Sequence, residues 1–366
     1  MKKILLLAGE ESGLIYARQI AEKVRAREPD AEIRGYADYG FQTGDLAVMG
    51  IVAVVSHLFY FLRVKRTMER AIDEWKPDVV CTIDYPGMNM RLGAYAKARG
   101  IRAVHVVCPQ VWAWKQGRIP RIERSFDALC CFFPFEPSLF RSGFASFVGH
   151  PLVEEMAAEA RTGEMADSKV LALLPGSRLA EIRHHMPVLL GVLGALADEL
   201  DAAGVNVVIP AANEKAHKAL VRAVADAGPA MSARVTVRRG GARELLRRAR
   251  CAVVASGTAT LEAALARCPT VLVYKVDWLF AVICRIVIKG VRHIGLANVI
   301  AEKAGGECPM VELLQENLTV ANVVREVRPL LFDRDARSAA VRKLDATMAL
   351  LRSDGDSMTR IADFLI

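Results

Sequence analysis

Two short stretches carry residues placed for chemistry on an anion. The first is 171–181, LALLPGSRLAE. Val170 to Leu174 form an unbroken apolar run, the pattern of a strand covered on both faces. Pro175, Gly176 and Ser177 stop the strand and turn the chain, and a helical pattern follows from about Leu179 to about Ala203. Such a strand, turn and helix start aim free amides and the positive end of the helix dipole at one spot. Arg178 stands there with a planar fork that matches phosphate. An ordinary βα turn with a surface arginine has the same local sequence. The second stretch is 251–265, CAVVASGTATLEAAL. Ser256, Gly257 and Thr258 form a small-residue turn that lets a ligand approach the backbone. Glu262 falls about one turn into the next helix, where a carboxylate can accept from the vicinal hydroxyls of a ribose or simply favour the helix dipole. Two such turns in one α/β half point to a nucleotide at the carboxyl ends of parallel strands. Neither is a Walker loop or a GxGxxG.

The first half carries acids and aromatics instead. Gly9-Glu10-Glu11-Ser12-Gly13 follows the apolar strand 4–8 and precedes a helix over 14–27. Ligands often sit at the first crossover of a doubly wound sheet, so Glu10 and Ser12 are candidate substrate contacts. Ser12 reads equally well as a helix N-cap, and Glu10 as a solvated charge. The strand 78–83 ends in Asp84, ahead of Tyr85-Pro86-Gly87. A carboxylate at the end of a parallel strand lies where a reacting group is needed; a turn cap is the plainer alternative. In the loop 108–115, CPQVWAWK, Gln110 and Trp112 are candidate acceptor contacts. Core packing is the default for such rings, and a platform facing a sugar or acyl chain is the sharper reading.

Two βα series are needed to position these groups. Strands near 4–8, 32–37, 78–83, 103–107, 128–133 and 147–150 make the first. Strands near Val170, Val205, Val235, Cys251 and Val271 make the second, and helices over about 320–331 and 335–351 close the chain. The charged segment 154–168 separates them, giving domains 1–158 and 159–366, with terminal helices able to pack back on the first. A chain of 366 residues suits two α/β domains. With 49 Lys+Arg against 41 Asp+Glu the net charge is +8, which favours nucleotides, phosphosugars and an anionic membrane surface. No motif or aromatic-interleaved basic patch suggests nucleic acid. The 8 cysteines make no C-x-x-C and read as reduced, buried thiols of a cytoplasmic protein. No His or Cys cluster has ligand spacing, so no metal and no cofactor besides the substrate are expected. The opening apolar run 4–8 is too short for a signal peptide, and no run is long enough to span a membrane. Two segments suit a membrane surface. In 57–70, Phe59, Phe61 and Leu62 precede Arg63, Lys65, Arg66 and Arg70, after the apolar run 46–55. The segment 278–288, WLFAVICRIVI, reads as a core helix or a monotopic anchor.

These residues together carry a family pattern. In order they include Gly9-Glu10-x-Ser12-Gly13, Leu46-Ala47-Val48-Met49-Gly50, Ile83-Asp84-x-Pro86, Pro109-Gln110-Val111-Trp112-Ala113-Trp114 and Pro134-Phe135-Glu136. Then follow Val148-Gly149-His150-Pro151-Leu152, Leu174-Pro175-Gly176-Ser177-Arg178-x-x-Glu181-Ile182, 255–262 (ASGTATLE) and Glu312-Leu313-Leu314-Gln315. End to end, the chain resembles the bacterial lipid-A-disaccharide synthases, UDP-dependent inverting glycosyltransferases. The resemblance implies an α/β GT-B architecture of two Rossmann-like, doubly wound parallel-sheet domains facing across a cleft. UDP would bind the second and much of the lipid acceptor the first. The implied substrates are UDP-2,3-diacylglucosamine and 2,3-diacylglucosamine 1-phosphate. The implied products are a β-1,6-linked disaccharide 1-phosphate and UDP, made by a peripheral protein at the cytoplasmic face of the inner membrane. Asp84 would be the base and Glu10 the second candidate. Gly176, Ser177, Arg178, Ser256, Gly257 and Thr258 would hold the pyrophosphate without a metal, and Glu262 the ribose. Asn298 matches a polar position of the family, although the family's preceding Pro is Ala297 here. The family's Asp after Ser-Gly is Leu14 here, and its second Asp after Asp84 is Gly87. Those departures leave room for a paralogue with another acyl-sugar acceptor, or a weakly catalytic binder. UDP-sugar epimerases and peptidoglycan glycosyltransferases share the fold, and an oligomer is compatible with all of these.

Overall fold

The computed structural model describes residues 1–42, 58–158, 168–278, 281–282 and 290–366. The run 46–55, most of 278–288 and the segment 159–167 at the expected domain boundary lie outside the described residues. The chain forms two compact units. One is Met1–Glu154 with Leu351–Ile366; the other is Glu155–Leu350.

In the first unit six parallel strands, β1 (Lys3–Ala8), β2 (Glu32–Arg34), β3 (Val79–Ile83), β4 (Arg102–Val106), β5 (Ala128–Cys131) and β6 (Ala145–Phe147), lie in the order β2-β1-β3-β4-β5-β6. The unalternating apolar strands are explained by cover on both faces. Ile4 and Leu6 pack with Ile20 and Val24 of the helix Glu11–Arg27 and with Ile361 of the terminal helix Ser357–Asp363. Leu5 and Leu7 point the other way, to Val64, Met68 and Ile72 of the helix Leu58–Trp75. The chain end is tied in at several points. Ser357 donates its amide to Glu154, Asp356 caps the Thr359 amide, and Lys23 pairs with Asp356. Gly149, at φ +92°, lies so close to Ser353 that a Cβ there would collide with it.

The second unit repeats the plan with β7 (Val170–Leu174), β8 (Asn206–Ala211), β9 (Val235–Arg239), β10 (Cys251–Ala255), β11 (Thr270–Tyr274) and β12 (Val311–Leu314). All are parallel, in the order β12-β11-β10-β7-β8-β9. One face of this sheet packs on the helices Leu179–Ala195, Glu214–Asp226 and Val320–Phe332. Strand order reverses between β1 and β3 in one unit and between β7 and β10 in the other, and ligands bind outside the carboxyl ends at such points.

Several boundaries differ from the sequence reading. The first long helix starts at Glu11, three residues early, so Glu10 rather than Ser12 occupies the N-cap position. β2 ends at Arg34 and gives way to a 3-10 turn, Tyr36–Tyr39. The last strand of the first sheet is 145–147, not 147–150. The helix after β7 stops at Ala195 and a separate one, Ala197–Ala202, follows.

Candidate active site

At the second switch point the carboxyl ends of β7 and β10 open on a cavity of about 450 Å³. Gly176, Ser177, Arg178, Ser256, Gly257, Thr258 and Glu262 all line it, as their spacing suggests. Its wall also includes Pro210, Ala211, Ala212 and Gly240 from the ends of β8 and β9, which the sequence reading did not single out. Their signal was topological: two more strands had to end beside the switch point. Gly176 bends at φ +111° and Gly257 at φ +150°, conformations that require glycine.

The two turns are not equivalent. After β7, Arg178 is the N-cap residue and Glu181 folds back over the turn. Its Oε2 accepts from the Ser177 and Arg178 amides at 3.1 and 3.2 Å, and its Oε1 accepts from the Arg178 guanidinium at 3.2 Å. The amides expected to face a phosphate are therefore already covered by a carboxylate. The Arg178 side chain itself stays mostly exposed. After β10, the amides of Thr258 and Ala259 open the helix Thr258–Leu265 and have no hydrogen-bond partner among the described residues. Of the two turns, the second is the one with free amides.

Supporting residues complete this end of the sheet. Glu262 Oε1 accepts from Arg243 Nε at 2.8 Å, and Arg243 Nη1 donates to Glu155 at 3.0 Å. Arg243 thus orients Glu262 at the cavity wall. His185 is fully buried between the ends of β7 and β11. Its Nδ1 lies 2.7 Å from the Pro175 carbonyl and its Nε2 accepts from the Lys275 amide at 2.9 Å, which places the proton on Nδ1. Burial holds this imidazole below its ordinary pKa and hence neutral. Asn298 lies apart from these residues. It is 0% exposed and does not line the cavity. Its Nδ2 donates to Met310 O and Glu312 Oε1, and its Oδ1 accepts from the Met310 amide. Glu312 in turn accepts from the Ile294 and Gly295 amides, both at 3.0 Å. The pair anchors the loop whose Ile294 carbonyl meets the Ser256 hydroxyl.

At the first switch point β1 and β3 run out into Glu10 and Asp84, both half-buried. Burial, then the nearby Asp84 charge, raises the Glu10 carboxyl above its ordinary range. Burial likewise raises Asp84. Asp84 and Tyr85 both adopt left-handed backbone, at φ 49° and 50°, a costly arrangement for two non-glycine residues. The surroundings explain its persistence. Asp84 Oδ1 accepts from the Tyr85 amide at 2.8 Å, and the Asp84 amide donates to Val106 O at 2.9 Å. Asn89, fully buried and unforeseen, donates to the Ile83 and Asp84 carbonyls and accepts from the Tyr36 hydroxyl. Gly9 leaves room for the Tyr85 ring, which any Cβ would strike.

Two acceptor candidates move. Ser12 is exposed within the first turn of its helix and is not the cap. Trp112 is 4% exposed, packed edge-on against Phe133 and Phe135, with its indole N–H on Glu136 at 3.1 Å. Core packing, not a ligand platform, is its role in this structure; Gln110 remains exposed beside it. Glu136 also accepts from the Phe133 amide, and burial pushes it up to about 8. Cys108, Cys131 and Glu136 place potential metal-ligating atoms within 4.8 Å of one another. The Cys131 thiol is pushed up by its contact with Cys108 and by burial, so this group is held protonated. Cys81, Cys130, Cys251 and Cys268 are buried too, whereas Cys308 is half-buried against His293.

Comparison with known proteins matches residues 4–362 to the family model described as Lipid-A-disaccharide synthetase. A relative from Acidobacterium capsulatum, named lipid-A-disaccharide synthase, is 35% identical over 97% of this chain and 93% of its own. One of the same name from Myxococcus xanthus is 32% identical, covering 100% of this chain and 97% of its own. Among solved structures, S. aureus MnaA with UDP superposes with a TM-score of 0.62 at 14% identity, covering 99% of this chain and 95% of that one. The glycotransferase of kitacinnamycin gives a TM-score of 0.62 at 14% identity, covering 99% and 97%.

Proposed function

The chain belongs to the lipid-A-disaccharide synthase family, UDP-sugar glycosyltransferases of lipid A biosynthesis with the GT-B fold, and on that premise we propose its specific reaction. It transfers 2,3-diacylglucosamine from its UDP derivative to 2,3-diacylglucosamine 1-phosphate, with inversion, releasing UDP and a β-1,6-linked disaccharide 1-phosphate. The division of chemistry between the two switch points is the observation that supports this most. An amide- and arginine-lined cavity of about 450 Å³ suits a nucleoside diphosphate, and a pair of carboxyls raised by burial suits a base.

In this mechanism the acceptor hydroxyl attacks the anomeric carbon on the side opposite UDP. Asp84 takes the hydroxyl proton, with Glu10 as the alternative base. The Thr258 and Ala259 amides and Arg178 stabilise the leaving pyrophosphate, and no metal is required. Glu262, held through one oxygen by Arg243, offers the other to a ribose hydroxyl. Peripheral binding to an anionic membrane surface, at the cytoplasmic face of the inner membrane, has its support in the helix Leu58–Trp75. Its Val64, Met68 and Ile72 are buried, whereas Phe59 is 84% exposed and shares the solvent side with Arg63, Arg66 and Arg70. No helix among the described residues is long and apolar enough to cross a membrane.

Turnover of the acylated pair by the purified protein, with the product mass identified, tests the assignment; no disaccharide 1-phosphate above a protein-free control overturns it. Leu14 and Gly87 favour one second reading, another acyl-sugar acceptor. Leu14 packs on the core of the first unit and Gly87 is exposed, so neither supplies the carboxylate of the family pattern. Faster turnover of an acceptor lacking the 1-phosphate would select that reading.

A further inference from the structure

A second cavity, of about 270 Å³, lies in the second unit far from the chemistry described above. Arg250 and Arg267 reach it from just before β10 and β11, so it sits at the amino ends of strands whose carboxyl ends carry the nucleotide cavity. The helix Arg334–Ala349 supplies the rest. Arg334, Arg337, Arg342 and Asp345 fall on one face through spacings of three to five residues. Five guanidinium groups thus face one lining carboxylate. That carboxylate is engaged: Asp345 holds Arg267 through two bonds of 2.7 Å. Arg250 and Arg337 both donate to the Leu331 carbonyl, at 3.1 and 3.0 Å, which pins two cations side by side on a neutral acceptor. Asp333, next to the helix start, has its carboxylate on the Asp335 and Ala336 amides. Arg334 and Arg342 have no carboxylate partner among the described residues.

Like charges crowded in this way repel one another. Arg334 and Arg337 stand in the first turn of a helix, at the positive end of its dipole. Burial, then the adjoining Arg250, hold the Arg337 guanidinium below its ordinary pKa, and nearby Asp333 offsets only part of this. An anion in the cavity would relieve both, and planar forks converging on one point match the oxygens of a phosphate. We propose that this cavity is a second anion site, separate from the nucleotide cavity, that takes a phosphoryl group. Two sources present that group: the headgroup of an anionic phospholipid and a free phosphate or pyrophosphate.

Substituting the two exposed, unpartnered arginines, as R334Q/R342Q, tests the site with little risk to the fold. Circular dichroism and UDP calorimetry serve as controls, and both should match the parent. Binding is then measured to inorganic pyrophosphate by calorimetry with the nucleotide cavity saturated by UDP, and to phosphatidylcholine vesicles with and without phosphatidylglycerol by flotation. A loss of roughly ten- to a hundredfold in pyrophosphate affinity supports the site with a soluble ligand. A comparable loss on phosphatidylglycerol vesicles that excess pyrophosphate does not compete away supports it with a lipid headgroup. Equal binding by parent and variant in both assays overturns the proposal.

Discussion

Strands β1 and β3 run out into Glu10 and Asp84, whereas β7 and β10 run out into glycine turns at a cavity. The first of these turns has its amides on Glu181, with Arg178 at the wall; the second has the Thr258 and Ala259 amides free among the described residues. The two switch points share one topology and differ in chemistry. Among the described residues, the first has two carboxyls without an arginine partner, and the second has free amides and glutamates each paired to an arginine. At the first, burial destabilises the ionised carboxyls and raises them. At the second, turn amides and a guanidinium offer positive potential to a ligand. Topology therefore decides where each site lies, and the few residues at the strand ends decide what it does. The backbones differ as well. The acidic turn forces two non-glycine residues to positive φ and needs Asn89 to hold it, whereas glycine bends the other two.

The strongest test of this contrast is Asp84→Asn. Turnover should fall by roughly 10²–10⁴-fold, the usual worth of a general base, with UDP affinity unchanged. In the parent, the rate should fall as pH drops through a carboxyl lying above its ordinary range, because protonation removes the base. Stability runs the other way. A carboxyl raised by folding contributes stability that is complete below its unfolded pKa and is lost as pH rises through the folded one. The Asn variant should therefore be more stable than the parent at neutral pH while turning over far more slowly. Unchanged turnover would move the base to Glu10.

Next is Arg178→Ala at the opposite switch point. UDP affinity should weaken by about 1.5 kcal/mol, the lower end for a hydrogen bond to a charged group, since the side chain is exposed. Calorimetry showing no change would leave the pyrophosphate to the second turn alone. A smaller effect is expected from Glu181→Ala. Loss of this cap should cost about 1 kcal/mol of stability and reduce UDP affinity a few-fold as the turn loosens. Tighter UDP binding instead would show that the carboxylate competes with phosphate for the turn amides.

The parts legible from local spacing were those that depend on backbone. Glycine at Gly176 and Gly257, and a carboxylate ending the apolar strand at Asp84, announce their places because turns and strand ends have composition. Trp112 and Asn298 were not legible as ligand contacts. Whether a side chain faces a cavity or is satisfied inside depends on partners distant in sequence, Glu136 for one and Met310 and Glu312 for the other. Glu181 is instructive because it is local: its position three residues past the N-cap is that of a capping box, a signal that the anion reading of the turn left out.

The mildest test concerns Gly87, where the family pattern has a carboxylate. Gly87 is exposed in the first turn of the helix Pro86–Lys97, and a Cβ there meets nothing within 4 Å. Gly87→Asp therefore needs no rearrangement. Replacing a helical glycine reduces the freedom of the unfolded chain, worth about 0.4–1 kcal/mol, and an acid in the first turn adds about 0.3–1 kcal/mol from the dipole. Thermal denaturation should show a modest gain in stability. Turnover with the diacylglucosamine 1-phosphate acceptor should stay within about twofold, because an exposed side chain is screened from the half-buried Asp84. A tenfold change in turnover, in either direction and without loss of stability, would instead make position 87 part of the acidic switch point. The acidic switch point would then rest on three positions rather than two.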